Sequence, residues 1–466
     1  MTLELLLAHA NDGRPMLQGG LSEETLRGVP IQPPEVPERL WSDHGNLDVL
    51  KKQRWGLVVP EGPEGNELLE RIKPLRELRE ADQDGKEARV YRVAPGMNGP
   101  RAMAWKQQVF RDEDVDERER PRYLLVLGDL HQVSLELQQA LATDAYVGRL
   151  AFRSPEQYTA YASKVVRWER ATVHATGPRM LFYTAQDGSE ATRLGHEDLI
   201  EPCLEACRTH LPDAKILHVL DDDKAPGKQL LERAAEPTPS LLLSLSHGLG
   251  RPDGGWRSPT DQFNLQGALQ LPGRQLSGAD LVSGAFLPGG MWVCFACFSA
   301  GTPARSTYAP WLRELAKTSL SAAQVLDALP GWEGEHSFIA ALPQAALANP
   351  DGPLAVVGHV DLAWSSSFRQ QGQRTPSRFF GVLQALAEGH RVGNALTSLA
   401  RSFHDLNMAL TVRDAHAALE HEAGRKVLQS PAVHASLFLQ RQDLMGFVLL
   451  GDPAARLSIP FPKEES

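Results

Sequence analysis

The apolar runs of this chain are continuous rather than alternating, and that limits what it can fold into. Trp55–Pro60, Ala88–Val93, Tyr123–Leu127, Met180–Ala185, Lys215–Leu220, Ser240–Ser246, Met291–Cys297, Leu354–Gly358 and Gly446–Gly451 are strand-length segments dominated by aliphatic and aromatic residues. Strands that bury both faces, as in parallel sheets covered by helices, read this way. Tyr146–Phe152 reads as a further short or edge strand. Between the runs the period changes. Leu68, Leu69, Ile72, Leu75 and Leu78 fall at helical spacing within 66–79. Ser154, Pro155 and Glu156 form a helix start that leads to about Arg170. Helices are also expected over 132–141, 197–210, 227–235 and through most of 378–418. The alternation predicts an α/β fold with a mainly parallel sheet flanked by helices, and the strand on 446–451 is expected to close it.

The Pro-, Gly- and charge-rich stretch 1–50 is read as an irregular leader packed on the body. The expected divisions are that leader, a first sheet-containing half at 51–172, and a second at 173–466. Lys and Arg number 48 against 58 Asp and Glu, a net charge of −10. That balance argues against a nucleic-acid surface or an anionic-membrane surface. The first residues lack the basic start and long apolar core of a signal peptide, and no run approaches membrane-spanning length. Four cysteines are too few for a disulfide framework, so a reducing, cytoplasmic setting is expected.

Two of the runs end in chemically useful residues. One ends in His247-Gly248 and the other in Cys297, with Gly301 close behind. Open α/β sheets bind ligands at the carboxyl ends of their strands, so a thiol and an imidazole at one edge form a candidate nucleophile and base. A thiol with an ordinary pKa of about 8.5 is mostly protonated at neutral pH, and a nearby histidine supplies the missing basicity. Backbone N–H groups in the turns after both residues are placed to stabilise an oxyanion. The plainer alternative is a buried strand-end cysteine.

Other features carry less. Cys294 and Cys297 have the Cys-x-x-Cys spacing of a redox or half-zinc site, but within a strand their side chains point to opposite faces. Cys294, Cys203 and Cys207 are read as core residues. The charge run 112–120 is read as a solvated loop. The segment 221–228 lacks phosphate-loop spacing and is read as a polar turn. His196 is read as an exposed helix-terminal residue. His359, Asp361 and Trp364, following a strand expected beside that of Cys297, are candidates for the wall of a substrate pocket.

Taken in order, these segments resemble the caspase-fold cysteine peptidases, the clan of caspases, gingipains, separase and CHAT-domain proteases, and most closely the gingipain family. The resemblance rests on Leu125–Asp129, Val147–Arg149 with the helix from Ser154, Ser246–Gly248, Phe295–Cys297, Leu354–Trp364 and Leu450–Pro453, spanning roughly 55–457. The His-to-Cys separation of fifty residues also matches caspase-like order. The resemblance implies two sheet-containing subdomains, Cys297 as nucleophile, His247 as general base and acid, and the N–H groups of Gly248 and Cys297 as the oxyanion hole. It implies a protein or peptide substrate, no cofactor, and a regulated bacterial protease of defence or cell-death signalling with an activator protein as a partner. For the residue on the acyl side of the scissile bond (P1) it points two ways. Arg193 stands where gingipains carry a pocket acid and favours an acidic P1; Asp361 stands where separase-like members carry one and favours a basic P1, the preferred expectation. Some relatives bind calcium, for which Asp221–Asp223 is the place to look. A catalytically silent caspase-fold scaffold that binds partner proteins, and a thiol redox protein using Cys294 and Cys297, remain as rival readings.

Overall fold

The computed structural model describes residues 2–17, 19–22, 25, 46–171, 177–220, 227–330, 336–370, 372–423, 425 and 431–459. Ten strands build one large sheet: β1 (Trp55–Pro60), β2 (Arg89–Val93), β3 (Tyr123–Leu127), β4 (Tyr146–Leu150), β5 (Arg179–Thr184), β6 (Lys215–Val219), β7 (Ser240–Leu245), β8 (Met291–Phe295), β9 (Ala355–His359) and β10 (Phe447–Gly451). Their order across the sheet is β2-β1-β3-β4-β10-β9-β8-β7-β5-β6. Every neighbouring pair is parallel except β9 with β10. The fold is thus α/β, with a mainly parallel sheet whose crossovers are helical, the arrangement expected of a caspase-like chain.

The apolar runs are continuous because both faces are covered. On β3, Leu125 and Leu127 join the main core, whereas Leu124 and Val126 join a second cluster with Val58, Tyr91 and Phe110. All five residues of β3 are buried. Alternation is absent because neither face meets water.

The strands from 55–150 and those from 179–451 lie side by side in one continuous sheet. The expectation that the last strand closes the sheet is corrected. β10 lies in the middle and pairs with β4 on one side and β9 on the other. Likewise Tyr146–Leu150 is not an edge, since it pairs with both β3 and β10. An apolar run specifies burial but not rank within the sheet. The close crossing has a sequence mark: a Cβ on Gly148 would meet the carbonyl oxygen of Gly451 at 2.2 Å, so only glycine fits there. Next to it, buried Arg149 donates to the carbonyls of Gly128 (2.7 Å) and Val133 (2.8 Å), tying down the turn after β3.

The helix expected from Ser154 runs Pro155–Arg170, with a capping box at Ser154 and Gln157. The single helix expected over 66–79 is two, Pro63–Arg71 and Lys73–Asp82, divided at Ile72 ahead of Pro74. Part of the leader is ordered strand. Leu7–His9 pairs in parallel with His247–Gly250, inside a four-stranded sheet completed by Leu269–Leu271 and Arg274–Leu276. Residues 26–45 and Asp221–Asp223 lie outside the described residues. Among the described residues no helix is long and apolar enough to cross a membrane.

Candidate active site

The carboxyl ends of β5, β7, β8 and β9 share one edge of the sheet. β7 and β8 are in register from Leu241 opposite Met291 to Leu245 opposite Phe295, so His247 and Cys297 leave the sheet at the same level. The chain then diverges: His247–Gly250 enters the small sheet, while Cys297 enters a tight turn. Phe298 takes φ +55°, in the left-handed region that costs a non-glycine residue roughly 1 kcal/mol or more. Its N–H donates to the carbonyl of Asp361 at 2.9 Å, which holds the turn against the extension of β9.

The two turns touch. A Cβ on Gly248 would stand 1.8 Å from the carbonyl oxygen of Cys297. No flexible side chain can yield there, because the obstacle is backbone. Gly248→Ala is therefore expected to destabilise the fold by about 1–3 kcal/mol through forced separation of the turns. Denaturant unfolding checks this, and an unchanged midpoint would show that the turns are not in contact.

His247 is fully buried. Its Nε2 lies 2.9 Å from Ser189 Oγ and 3.3 Å from Asp187 Oδ2. Both residues belong to the turn after β5. Asp187 Oδ1 accepts from Ser189 N–H (3.0 Å) and from Thr192 Oγ1 (2.7 Å), and Ser189 caps the helix Glu190–Gly195. That leaves Oδ2 facing the imidazole, and among the described residues neither Oδ2 nor His247 Nδ1 has a hydrogen-bond partner. Burial pushes the His247 pKa down to about 4, against the opposing pull of Asp187, so the ring is neutral at pH 7. Asp187 and Ser189 were not singled out from the sequence. The available signal was an acid and a capping serine just past a strand expected on the same edge.

Cys297 is also fully buried. Its Sγ accepts from Ala363 N–H at 3.2 Å and lies 3.7 Å from the Ala363 carbonyl. Burial raises its pKa well above the ordinary thiol value despite the Ala363 N–H, so the sulfur is protonated in this arrangement. The N–H groups of Gly248 and Cys297 converge on a single oxygen, the carbonyl of Leu6, at 3.0 and 3.2 Å.

The pocket candidates separate into three kinds. His359 is buried with Nδ1 2.9 Å from the Asp361 carbonyl and Nε2 2.9 Å from the Asp443 carbonyl; both nitrogens are spent on the scaffold. The Asp361 carboxylate accepts from Thr307 N–H (2.8 Å), Thr307 Oγ1 (3.2 Å) and Leu362 N–H (2.8 Å), and burial raises its pKa. Trp364 is buried, with its ring packed edge-on against Tyr308 and Trp311. Arg193 is half exposed and paired with Glu190 and Glu197, so its charge is neutralised on the helix surface. His196 is not a free terminal residue: it stacks on His218 and meets Thr184 Oγ1 at 3.2 Å. Cys203, Cys207 and Cys294 are buried and unbridged, as expected of core residues.

Sequence comparison finds no matching family model and no matching curated protein. Structural comparison does find likeness. The fold is shared with a protease of solved structure. Against that structure, described as "Structure of Protease", the TM-score is 0.50 at 12% identity, over 89% of this chain and 80% of the other. The complex of the pro- and mature domains of Porphyromonas gingivalis RgpB gives 0.48 at 12% identity over 86% and 79%. The Arg-specific cysteine proteinase gingipain R gives 0.44 at 13% over 87% and 78%. At such identities the likeness concerns the fold.

Proposed function

We propose that this protein is a cysteine endopeptidase that works through Cys297 and His247. The observation that carries the reading is the convergence of the Gly248 and Cys297 N–H groups on one carbonyl oxygen beside the Cys297 thiol. Two backbone donors about 3 Å from a peptide carbonyl, next to a nucleophile, is the arrangement that stabilises a tetrahedral oxyanion. The fold shared with a solved protease supports it.

In this reading His247 carries its proton on Nε2, directed at Ser189 Oγ, with the Asp187 carboxylate close by as a charge. Nδ1 is then left as the lone pair that takes the thiol proton. The Cys297 sulfur attacks the carbonyl carbon, the C–N bond breaks, and the imidazolium returns its proton to the leaving amine. Water hydrolyses the thioester and regenerates the thiol. Asp361, on which a basic P1 preference was expected, spends its carboxylate on Thr307 and Leu362. Arg193, on which an acidic preference was expected, is neutralised by two glutamates. Neither charge therefore sets the preference in this reading. Asp361, His359 and Trp364 serve instead as the wall that fixes the turn and the strand beside the thiol. A regulated role in bacterial defence or cell death, with an activator partner and a cytoplasmic setting, is part of the proposal and rests on family resemblance.

The test is incubation of the reduced protein with a proteome-derived peptide library, followed by mapping of new amino termini. New termini sharing one P1 class are expected. A library left intact by every preparation, including variants that loosen the segment around Leu6, would reject the reading in favour of a silent scaffold. Asp187→Asn is expected to lower kcat by roughly 10²–10⁴-fold with little change in KM, because the imidazolium formed during the reaction loses the carboxylate charge 3.3 Å from its Nε2. Steady-state kinetics with one cleaved peptide decides this.

A further inference from the structure

The carbonyl in the oxyanion hole belongs to the chain itself. Leu6 does more than place its oxygen on the Gly248 and Cys297 N–H groups; its own N–H donates to the Ala363 carbonyl at 3.4 Å. Leu5 forms an antiparallel bridge with Trp364. One residue further, Ser365 N–H donates to the Glu4 carbonyl at 3.4 Å, and Glu4 N–H donates to Ser365 Oγ at 3.4 Å. On the other side of Leu6 the pairing changes partner, and Leu7–His9 runs parallel to Gly248–Gly250. An extended strand thus passes over the thiol. It is paired edge to edge before the critical carbonyl by Ala363–Ser365 and after it by the histidine strand. Leu5, Leu6 and Leu7 are each at most 1% exposed.

We propose that this segment is a substrate-like occupant of the site, with Leu6 in the P1 position, so that the enzyme selects an aliphatic P1 residue and is closed to substrates while the segment is in place. The inference rests on the peptidase reading given above and adds to it a substrate class and a closed state. Chemistry at P1 supports the aliphatic choice. The Leu6 side chain is buried within the main apolar core. The two buried acids near the thiol are both occupied: Asp361 by Thr307 and Leu362, and Asp443 by the Trp364 N–H and the hydroxyls of Ser366 and Ser367. A cation at this position would be buried with no open acceptor from either acid, which is strongly unfavourable. The closed state is also consistent with the full burial of His247 and Cys297, which keeps the imidazole neutral and the thiol protonated.

The test uses the full chain and three active-site-directed probes. These are a chloromethyl ketone of the tetrapeptide matching residues 3–6, and two companions ending in arginine or aspartate. Alkylation of Cys297 is followed by peptide mass mapping, in the wild type and in Leu6→Lys. The leucine probe is expected to react at least about tenfold faster than either companion. Leu6→Lys is expected to raise its rate by about tenfold or more, because the segment no longer fits. A faster arginine or aspartate probe, or slower labelling in Leu6→Lys, would overturn the inference and leave a peptidase of another specificity. No labelling of Cys297 by any probe in either chain would reject the peptidase reading itself. If Leu6→Lys proves unfolded by circular dichroism, Leu6→Ala takes its place, and the probe ranking on the wild type decides the P1 class without any variant.

Discussion

Cys297→Ala is expected to abolish peptide cleavage, with a loss of at least roughly 10³-fold, and to leave the fold intact. The size follows from the role: without sulfur no acyl-enzyme forms, and the oxyanion donors and the histidine are left with only water to activate. The fold should survive because Sγ makes few bonds. It accepts the Ala363 N–H, lies 3.7 Å from the Ala363 carbonyl, and packs in a core where removal of one atom costs about 1 kcal/mol or a little more. Cys294→Ala is the matched control. Cys294 sits on β8 with its thiol raised to about 12 by burial, and its loss should leave cleavage near the wild-type rate. Mapping of new termini, run beside thermal unfolding, reads both variants. Equal loss in both would favour a dithiol mechanism over a single nucleophile, and full activity of Cys297→Ala would remove the thiol from the chemistry.

The sequence shows this site unevenly, for physical reasons. His247 and Cys297 were legible because each ends an apolar run and departs from the run's chemistry. Gly248 was legible because a turn must follow. The sheet class was legible from the loss of alternation. The central place of β10 was not, since its pairing with β4 depends on contacts between residues some 300 positions apart; the local trace of that contact, Gly148, looks like any strand glycine. Asp187 and Ser189 escape a reading of the sequence because the five-residue turn 185–189 has no periodicity. The segment Glu4–Leu7 reads as part of an irregular leader because it has one acid and a short apolar run, and its strand partners lie at 248–250 and 363–365. The pocket charges were misleading for a related reason. A sequence position can suggest that an Asp or Arg faces a substrate, but only the surrounding donors show whether its charge is already engaged, and Thr307 and Glu197 are not neighbours that a motif records.

Asp452→Ala is expected to destabilise the protein by about 3–5 kcal/mol, although it lies outside the proposed active site. Asp452 is fully buried just after β10. Its Oδ1 accepts from Trp55 Nε1 (2.9 Å) and from Ala454 N–H (3.1 Å), and its Oδ2 accepts from Arg79 Nε (2.7 Å). Its backbone N–H donates to Tyr161 Oη (2.6 Å), which in turn donates to the Leu354 carbonyl (2.7 Å). Arg79 is itself fully buried and also bonds Glu169 and Asp82. One carboxylate therefore joins β1, the helix Lys73–Asp82 and the turn after β10, while the backbone beside it ties in the helix Pro155–Arg170. Removing it leaves an indole N–H unpaired and a guanidinium short of one counter-charge in a dry interior. Denaturant titration measures the loss, and specific activity per folded molecule at low temperature should stay near that of the wild type. Replacing both members of the pair, Arg79→Met with Asp452→Leu, should cost clearly less than the two single changes added together. In the double variant no charge is stranded, and what remains is the difference between a bonded ion pair and apolar packing of similar volume. Strict additivity of the two changes would mean instead that Glu169 and Asp82 already suffice for Arg79, and that the importance of Asp452 lies in Trp55 and the turn.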